Sequence, residues 1–158
     1  MSQFQNDLNK AKIGEGIVFN ALTSLLDDYI LEDCSDDKDY YHKGDIKAID
    51  KETGDVVFIE VKTDSRIHET HNVLCEEENW FKEAGYYKKG NMYSNYEFYC
   101  VLSQEERKIY MIDFRVLKAN YRRGEFKEIN HPTQVCYAYL LPLGTIKRLG
   151  GLVAEINY

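Results

Sequence analysis

The sequence predicts one α/β domain, residues 1–158, in which a mixed central β-sheet is flanked by helices. Three observations predict this class. A long N-terminal stretch carries apolar residues at three- and four-residue steps, three strand-like runs follow it, and short strand-like and helix-like segments alternate in the remainder. A chain of 158 residues has a usual length for a single domain.

The first element is expected to be an amphipathic helix over residues 3–29. Position 15 belongs to its apolar stripe, yet Glu15 occupies it, so a carboxylate lies on the face that should be buried. Gly14 and Gly16 flank Glu15 and weaken the helix by roughly 1 kcal/mol each relative to Ala, which we interpret as space for another backbone. The stripe consists of Phe4, Leu8, Ala11, Val18, Phe19, Leu22, Leu25 and Leu26.

Three strands are expected after the helix, at 29–33, 44–50 and 56–64. The second and third form a hairpin around the Gly-containing turn KETGD. Both faces of the third strand begin with apolar residues, which is typical of an inner strand covered on two sides. Glu60 and Lys62 therefore continue a face that should be buried.

The segment that follows, HNVLCEEENWF, is compatible with a strand or with the start of a helix, and we favour a strand at 72–77. Gly, Asn and Ser predict a loop at 85–95. Pro142 and Gly150 are expected to end the last strand and the C-terminal helix. The later elements are a hairpin at 96–103 and 108–114, a helical turn at 116–124, a last strand at 134–141 and a helix at 143–151.

Composition restricts the class of protein. The formal net charge of −7 is unfavourable for a nucleic-acid-binding protein, although the segment 114–127 is locally basic. No apolar run is long enough for a membrane span and no signal peptide is recognisable, so we expect a cytoplasmic protein with no membrane contact. The four cysteines form no CxxC pair and are expected to be buried free thiols.

Four charged residues are expected to converge at one end of the hairpin: Glu15, Asp45, Glu60 and Lys62. Carboxylates held together repel unless a cation lies between them or one is protonated. Mg²⁺ or Mn²⁺ with oxygen ligands and retained water is the natural solution. An adjacent ammonium from Lys62 can orient the attacking water, so the set indicates phosphodiester hydrolysis.

These residues resemble the PD-(D/E)XK nuclease superfamily, which has the restriction-endonuclease-like fold. Lys43-Gly44-Asp45-Ile46 is similar to the strand with the first metal-binding Asp, and Glu60-Val61-Lys62 matches the E-x-K element. Glu15 looks like the additional helical Glu of Holliday junction resolvases. The resemblance implies a Mg²⁺-dependent DNA endonuclease, either resolvase-like or of the phage and restriction type. Asp45, Glu60 and Glu15 would be the metal ligands and Lys62 the residue that positions water.

The resemblance extends in part to later residues. THNVLCEEENW is similar to a TGN-x-x-x-E strand of some phage and restriction-type members, but His71 stands at the Gly position, so we assign no role to Glu76 or Glu77. Family analogy implies a homodimer and no small-molecule cofactor. The expected nucleic-acid-binding residues are Lys88, Lys89, Arg122 and Arg123.

Other interpretations of the same residues stay open. The fold can carry a non-catalytic nucleic-acid-binding or regulatory protein, and the acidic segment 27–39 can serve a protein-binding module. Glu60 and Lys62 can form a surface ion pair worth well under ~1 kcal/mol. Five tyrosines can stack on bases or pack in the core: Tyr86, Tyr87, Tyr93, Tyr96 and Tyr99.

Overall fold

The computed structural model describes residues 3–37, 43–122 and 125–158. Helix α1 (Gln3–Leu25) is followed by strands β1 (Tyr29–Asp33), β2 (Ile46–Asp50) and β3 (Val56–Thr63). The predicted helix and three strands are therefore confirmed in type and order. The helix ends at Leu25 rather than at residue 29, because the chain turns there and the amide of Tyr29 donates to the carbonyl of Leu26 at 3.0 Å.

The remaining elements follow in short segments. A 3₁₀ turn, Asn91–Tyr93, separates two of the strands. In chain order the elements are α2 (Ile67–Thr70), β4 (Asn72–Phe81), β5 (Tyr86–Lys89), β6 (Phe98–Ser103), β7 (Lys108–Asp113), α3 (Phe114–Asn120), β8 (Lys127–Asn130), β9 (Gln134–Pro142), α4 (Leu143–Arg148) and β10 (Leu152–Asn157).

Six strands form a mixed sheet in the order β1-β2-β3-β6-β7-β10. The β3–β6 pair is parallel and the other neighbours are antiparallel, so the predicted mixed sheet is confirmed. β3 lies between β2 and β6, as expected for a strand that is apolar on both faces. Its residues Ile59 and Val61 pack in one core with Val18 and Leu22 of α1, whereas Phe58 packs against the other core.

A second sheet covers the face opposite α1. Its order is β5-β4-β9-β8 and all its neighbours are antiparallel. Buried residues of this sheet, of β6 and β7 and of the three short helices share one core. The first sheet is thus covered by α1 on one side and by a second sheet with small helices on the other, an arrangement that the sequence did not predict.

Several element boundaries differ from the expected ones. β4 continues to Phe81, past the expected end at 77, because it pairs with β9 along its whole length. The predicted loop at 85–95 contains β5, which pairs with the extended part of β4. The strand at 134–141 is not the last, since β10 follows α4 and pairs with β7.

Helix α1 packs closely on β3 at Gly14. A Cβ atom at Gly14 would lie 2.0 Å from the Thr63 hydroxyl oxygen, so the close neighbour at this position is a side chain and not the expected backbone. A Cβ at Gly16 would have no neighbour within 4 Å, and Gly16 has no such role. All four cysteines are buried free thiols, as expected. The helices described in the structure include none with the length and apolarity of a membrane-spanning segment.

Candidate active site

Asp45 is fixed to the backbone of β3 at the start of β2. The preceding Gly44 has φ of 131°, and a Cβ there would lie 2.9 Å from the carbonyl oxygen of Ile59, so only glycine lets the chains approach this closely. The amide of Asp45 donates to that carbonyl at 2.9 Å. One carboxylate oxygen of Asp45 accepts a 2.8 Å hydrogen bond from the amide of Val61. Because Val61 separates Glu60 from Lys62, Asp45 is positioned between the two halves of the E-x-K element.

Asp45 and Glu60 both have a raised pKa, and the charge of Asp45 contributes to the shift of Glu60. Burial raises the pKa of Glu60 to about 8, with the charge of Asp45 as the second cause and Lys62 acting in the opposite direction. Burial also raises the pKa of Asp45 to about 6, although the hydrogen bond from the Val61 amide lowers it. These two residues and Lys62 therefore lie within electrostatic range of one another, as the sequence predicted.

Lys62 makes its direct ion pair with a residue of the second sheet. Its Nζ lies 3.2 Å from Oε1 of Glu76, and the charge of Glu76 is the largest cause of the raised pKa of Lys62. The Lys62 side chain is 48% exposed and that of Glu76 is 18% exposed, so the pair is accessible to solvent from the Lys62 side. No role for Glu76 was expected from the sequence, and the structure places it in the site.

Glu15 lies at the edge of this group. Its carboxyl is half-buried on α1, and burial is the largest cause of its raised pKa. A hydrogen bond from Ser35 opposes that shift, while Asp33 adds to it. The charge of Glu15 in turn raises the pKa of Asp45. Glu15 is thus close enough to influence Asp45, but its hydrogen-bond partner, Ser35, lies just after β1.

The predicted DNA-contacting residues occupy different surfaces. Lys88 pairs with Asn79 across the β5–β4 ladder and shares its face of the sheet, the face from which the Asn79 amide contacts Glu76. Lys89 points the other way, with its Nζ 5.0 Å from the ring centroid of Tyr93. Arg122 pairs with Glu125 at 3.5 Å, far along the chain from this ladder. Arg123 lies outside the described residues.

The five tyrosines divide between core and surface. Tyr96 and Tyr99 are buried and their rings pack with Phe114, so the core interpretation is confirmed for them. Tyr86 and Tyr87 are half-exposed on β5. Tyr93 is also partly exposed, beneath the Lys89 ammonium. Within the acidic segment 27–39, residues 38 and 39 lie outside the described residues.

The donor set fits a divalent cation that binds few protein ligands. Among the described residues no three His, Cys, Asp or Glu side chains form a ready-made metal cluster. Mg²⁺ is usually held by one or two carboxylates, with water and substrate phosphate oxygens completing its octahedral shell. Asp45 and Glu60 provide two such carboxylates, and their mutual repulsion favours a cation between them.

The fold is similar to that of a bacterial homing endonuclease, I-Ssp6803I, with a TM-score of 0.48 and 12% sequence identity over 80% of this chain and 74% of that chain. No family model matches the sequence, and neither does any curated protein. A similarity of this size carries no functional argument, so we infer function from the side chains of the site.

Proposed function

We propose that this protein is a Mg²⁺-dependent DNA endonuclease of the PD-(D/E)XK type. Asp45 and Glu60 would hold the cation, Glu15 would be a further ligand, direct or through water, and Lys62 would orient the attacking water. The observation that carries the proposal is the 2.8 Å hydrogen bond from the Val61 amide to the Asp45 carboxylate, which positions one carboxylate beside the Glu60–Lys62 pair.

Each residue of the site has a distinct chemical task. Asp45 and Glu60 would hold the divalent cation, and any proton shared by the two carboxyl groups would be released to water when the cation binds. When bound, Mg²⁺ neutralises charge on a phosphoryl oxygen and lowers the pKa of a water ligand. Lys62 supplies three N–H donors, which hold the attacking water and stabilise the developing charge on the phosphate.

The DNA would approach along the face of the second sheet that carries Glu76. Lys88 shares this face and is the best placed of the predicted phosphate contacts. Lys89 and Arg122 remain proposed contacts from other parts of the surface, and Arg123 remains a proposed contact on the sequence alone. With a net charge of −7, the protein must bind DNA through such local cations, so affinity should fall steeply with salt. A homodimer would place two sites against the two strands of a duplex.

A nuclease assay tests the proposal. We expect the wild-type protein to cleave plasmid, branched or single-stranded DNA with Mg²⁺ or Mn²⁺ and to stop when EDTA is added. Asp45→Asn should lower the rate by at least about 10²-fold, because one metal ligand loses its charge. Asp55→Asn makes the same change on an exposed residue just before β3 and should leave the rate unchanged.

Two results would refute the endonuclease. One is cleavage that persists in Asp45→Asn or in EDTA, which would mean that the cutting activity does not come from this site. The other is no cleavage of any of the three substrates with either cation. DNA binding without cleavage would instead support a non-catalytic nucleic-acid-binding protein on the same fold.

A further inference from the structure

The ion pair between Lys62 and Glu76 joins the two sheets of the protein. Lys62 lies on β3 of the six-stranded sheet, whereas Glu76 lies on β4 of the four-stranded sheet. Their charged atoms are 3.2 Å apart. The Glu76 side chain is also the more enclosed of the two, so it forms the fixed end of the ion pair.

The carboxylate of Glu76 is itself held in place. Its second oxygen accepts a 3.4 Å hydrogen bond from the side-chain amide of Asn79, a residue that is buried. The two partners are brought together by an irregularity in the β4–β9 pairing between Glu76 and Glu78. Such a bulge changes the direction in which side chains point and is frequent beside active sites.

The backbone of Glu76 is fixed by the turn that follows β5. The amide of Glu76 donates a 2.7 Å hydrogen bond to the side-chain carbonyl of Asn91. Gly90 packs directly on the same residue, since a Cβ at position 90 would lie 2.2 Å from the carbonyl oxygen of Glu76. The amide of Gly90 also donates to the carbonyl of Glu77 at 2.8 Å. Both the side chain and the main chain of Glu76 are therefore restrained.

We propose that Glu76 is a positioning residue, which fixes the Lys62 ammonium beside Asp45 and Glu60. This inference rests on the proposed function for its catalytic meaning. Lysine has a flexible four-carbon stem, and a half-exposed ammonium without a partner would be solvated and would adopt many positions. Catalysis by a charged donor depends on fixing that donor where charge develops, so a restrained carboxylate opposite Lys62 supplies the order that the lysine lacks.

Single-turnover cleavage tests this role. In Glu76→Gln we expect the rate at saturating DNA and Mg²⁺ to fall by about 10- to 100-fold, because the neutral amide holds the ammonium less firmly. The Mg²⁺ concentration for half-maximal rate should stay the same. Glu76→Asp keeps the charge and should recover part of the loss. Glu78→Gln removes the same charge beyond the bulge, opposite Tyr137, and should cleave as the wild type does.

The alternatives give different results. If Glu76 were a metal ligand, the half-saturating Mg²⁺ concentration would rise in Glu76→Gln, and the positioning role would be overturned. A rate within about twofold of wild type in Glu76→Gln would also overturn it. So would an equal loss in Glu78→Gln, since that would report a general effect of charge on β4.

A second measurement does not depend on cleavage. Nuclear magnetic resonance of lysine labelled at Cε and Nζ, with the Lys62 signal assigned by its absence in Lys62→Arg, reports the order of the ammonium group. We expect an ordered Lys62 in the wild type and in Glu78→Gln, and a mobile one in Glu76→Gln. An equally ordered Lys62 in Glu76→Gln would refute the inference. If this order is lost as expected but the wild type cuts no DNA, the endonuclease fails while the fixing of Lys62 by Glu76 stands.

Discussion

Lys62→Met is expected to lower the single-turnover rate of Mg²⁺-dependent DNA cleavage by about 10³-fold, the size expected when one charged donor to a transition state is removed. Methionine keeps much of the stem of Lys62 but has no N–H donor. The cation ligands Asp45 and Glu60 are unchanged in this variant, so the loss should appear in the rate at saturating Mg²⁺ and not in the concentration of Mg²⁺ that is required.

Lys108→Met is the matched control for this variant. Lys108 is also a strand lysine that pairs with a glutamate, Glu155, at 3.8 Å, but it lies on β7. Cleavage by Lys108→Met should equal that of the wild type. If Lys62→Met cut DNA within about tenfold of the wild-type rate, Lys62 would not orient the water, and the role of the E-x-K element would have to be reassigned.

Glu60→Gln is expected to make the metal-free protein more stable at pH 8 than the wild type, although it removes a metal ligand. The pKa of Glu60 is raised to about 8 in the folded protein, mainly by burial. The folded state therefore keeps a proton that the unfolded chain releases near its ordinary pKa. The stability that this proton provides is complete at low pH and is lost as the pH rises through the folded pKa.

Glu60→Gln has no carboxyl group to ionise at this position and so does not lose this stability. Its unfolding free energy should therefore exceed that of the wild type by an amount that grows between about pH 5 and about pH 8. Each unit of pKa shift corresponds to about 1.4 kcal/mol, and we expect the difference in unfolding free energy to change by on the order of 3 kcal/mol. Urea unfolding in EDTA across this pH range measures it. For Glu52→Gln, in the exposed β2–β3 turn, the unfolding free energy should change with pH as it does in the wild type. A difference between Glu60→Gln and wild type that is independent of pH would show that Glu60 is ionised at neutral pH.

The Asp45–Glu60–Lys62 group could be predicted from the sequence because hairpin pairing is local. A short turn fixes the register of two adjacent strands, and the observed pairing of Ile46 with Ile59 places Asp45 opposite Glu60. The alternation of side chains then places Lys62 on the same face as Glu60. A close neighbour at Gly14 could also be predicted, because a glycine inside a helix costs stability and leaves room, but that neighbour is the Thr63 side chain and not a backbone.

Glu76 could not be found in the same way. Its contact with Lys62 joins two sheets, and no local rule gives the packing of one sheet on another. The bulge at Glu76–Glu78 also breaks the alternation that would have indicated its direction. One feature of the sequence did point to this segment, namely its partial match to the TGN-x-x-x-E pattern. His71 stands at the Gly position of that pattern and adopts a positive φ of 51°. The backbone of this segment therefore keeps a conformation that glycine favours, even where the residue differs.

Strands β5, β8 and β10 were not predicted from the sequence, because they form by pairing with strands from elsewhere in the chain. β5 and β8 are edge strands of four residues each, and they form because β4 and β9 offer them an edge to pair with. β10 carries an alternating pattern, but it follows a helix and pairs with β7, which lies far before it in the chain. Propensity decides little in such segments, since pairing with distant strands supplies the stability.

Binding of Mn²⁺ to the metal-free protein tests the central claim most directly, because the claim is that Asp45 and Glu60 together hold a divalent cation. Isothermal titration calorimetry at about pH 8, where both carboxylates can ionise, should show a Mn²⁺ site in the wild type and in Asp55→Asn. The site should be lost in Asp45→Asn and in Glu60→Gln. Equal Mn²⁺ affinity in the wild type and in both of these site variants would contradict the account.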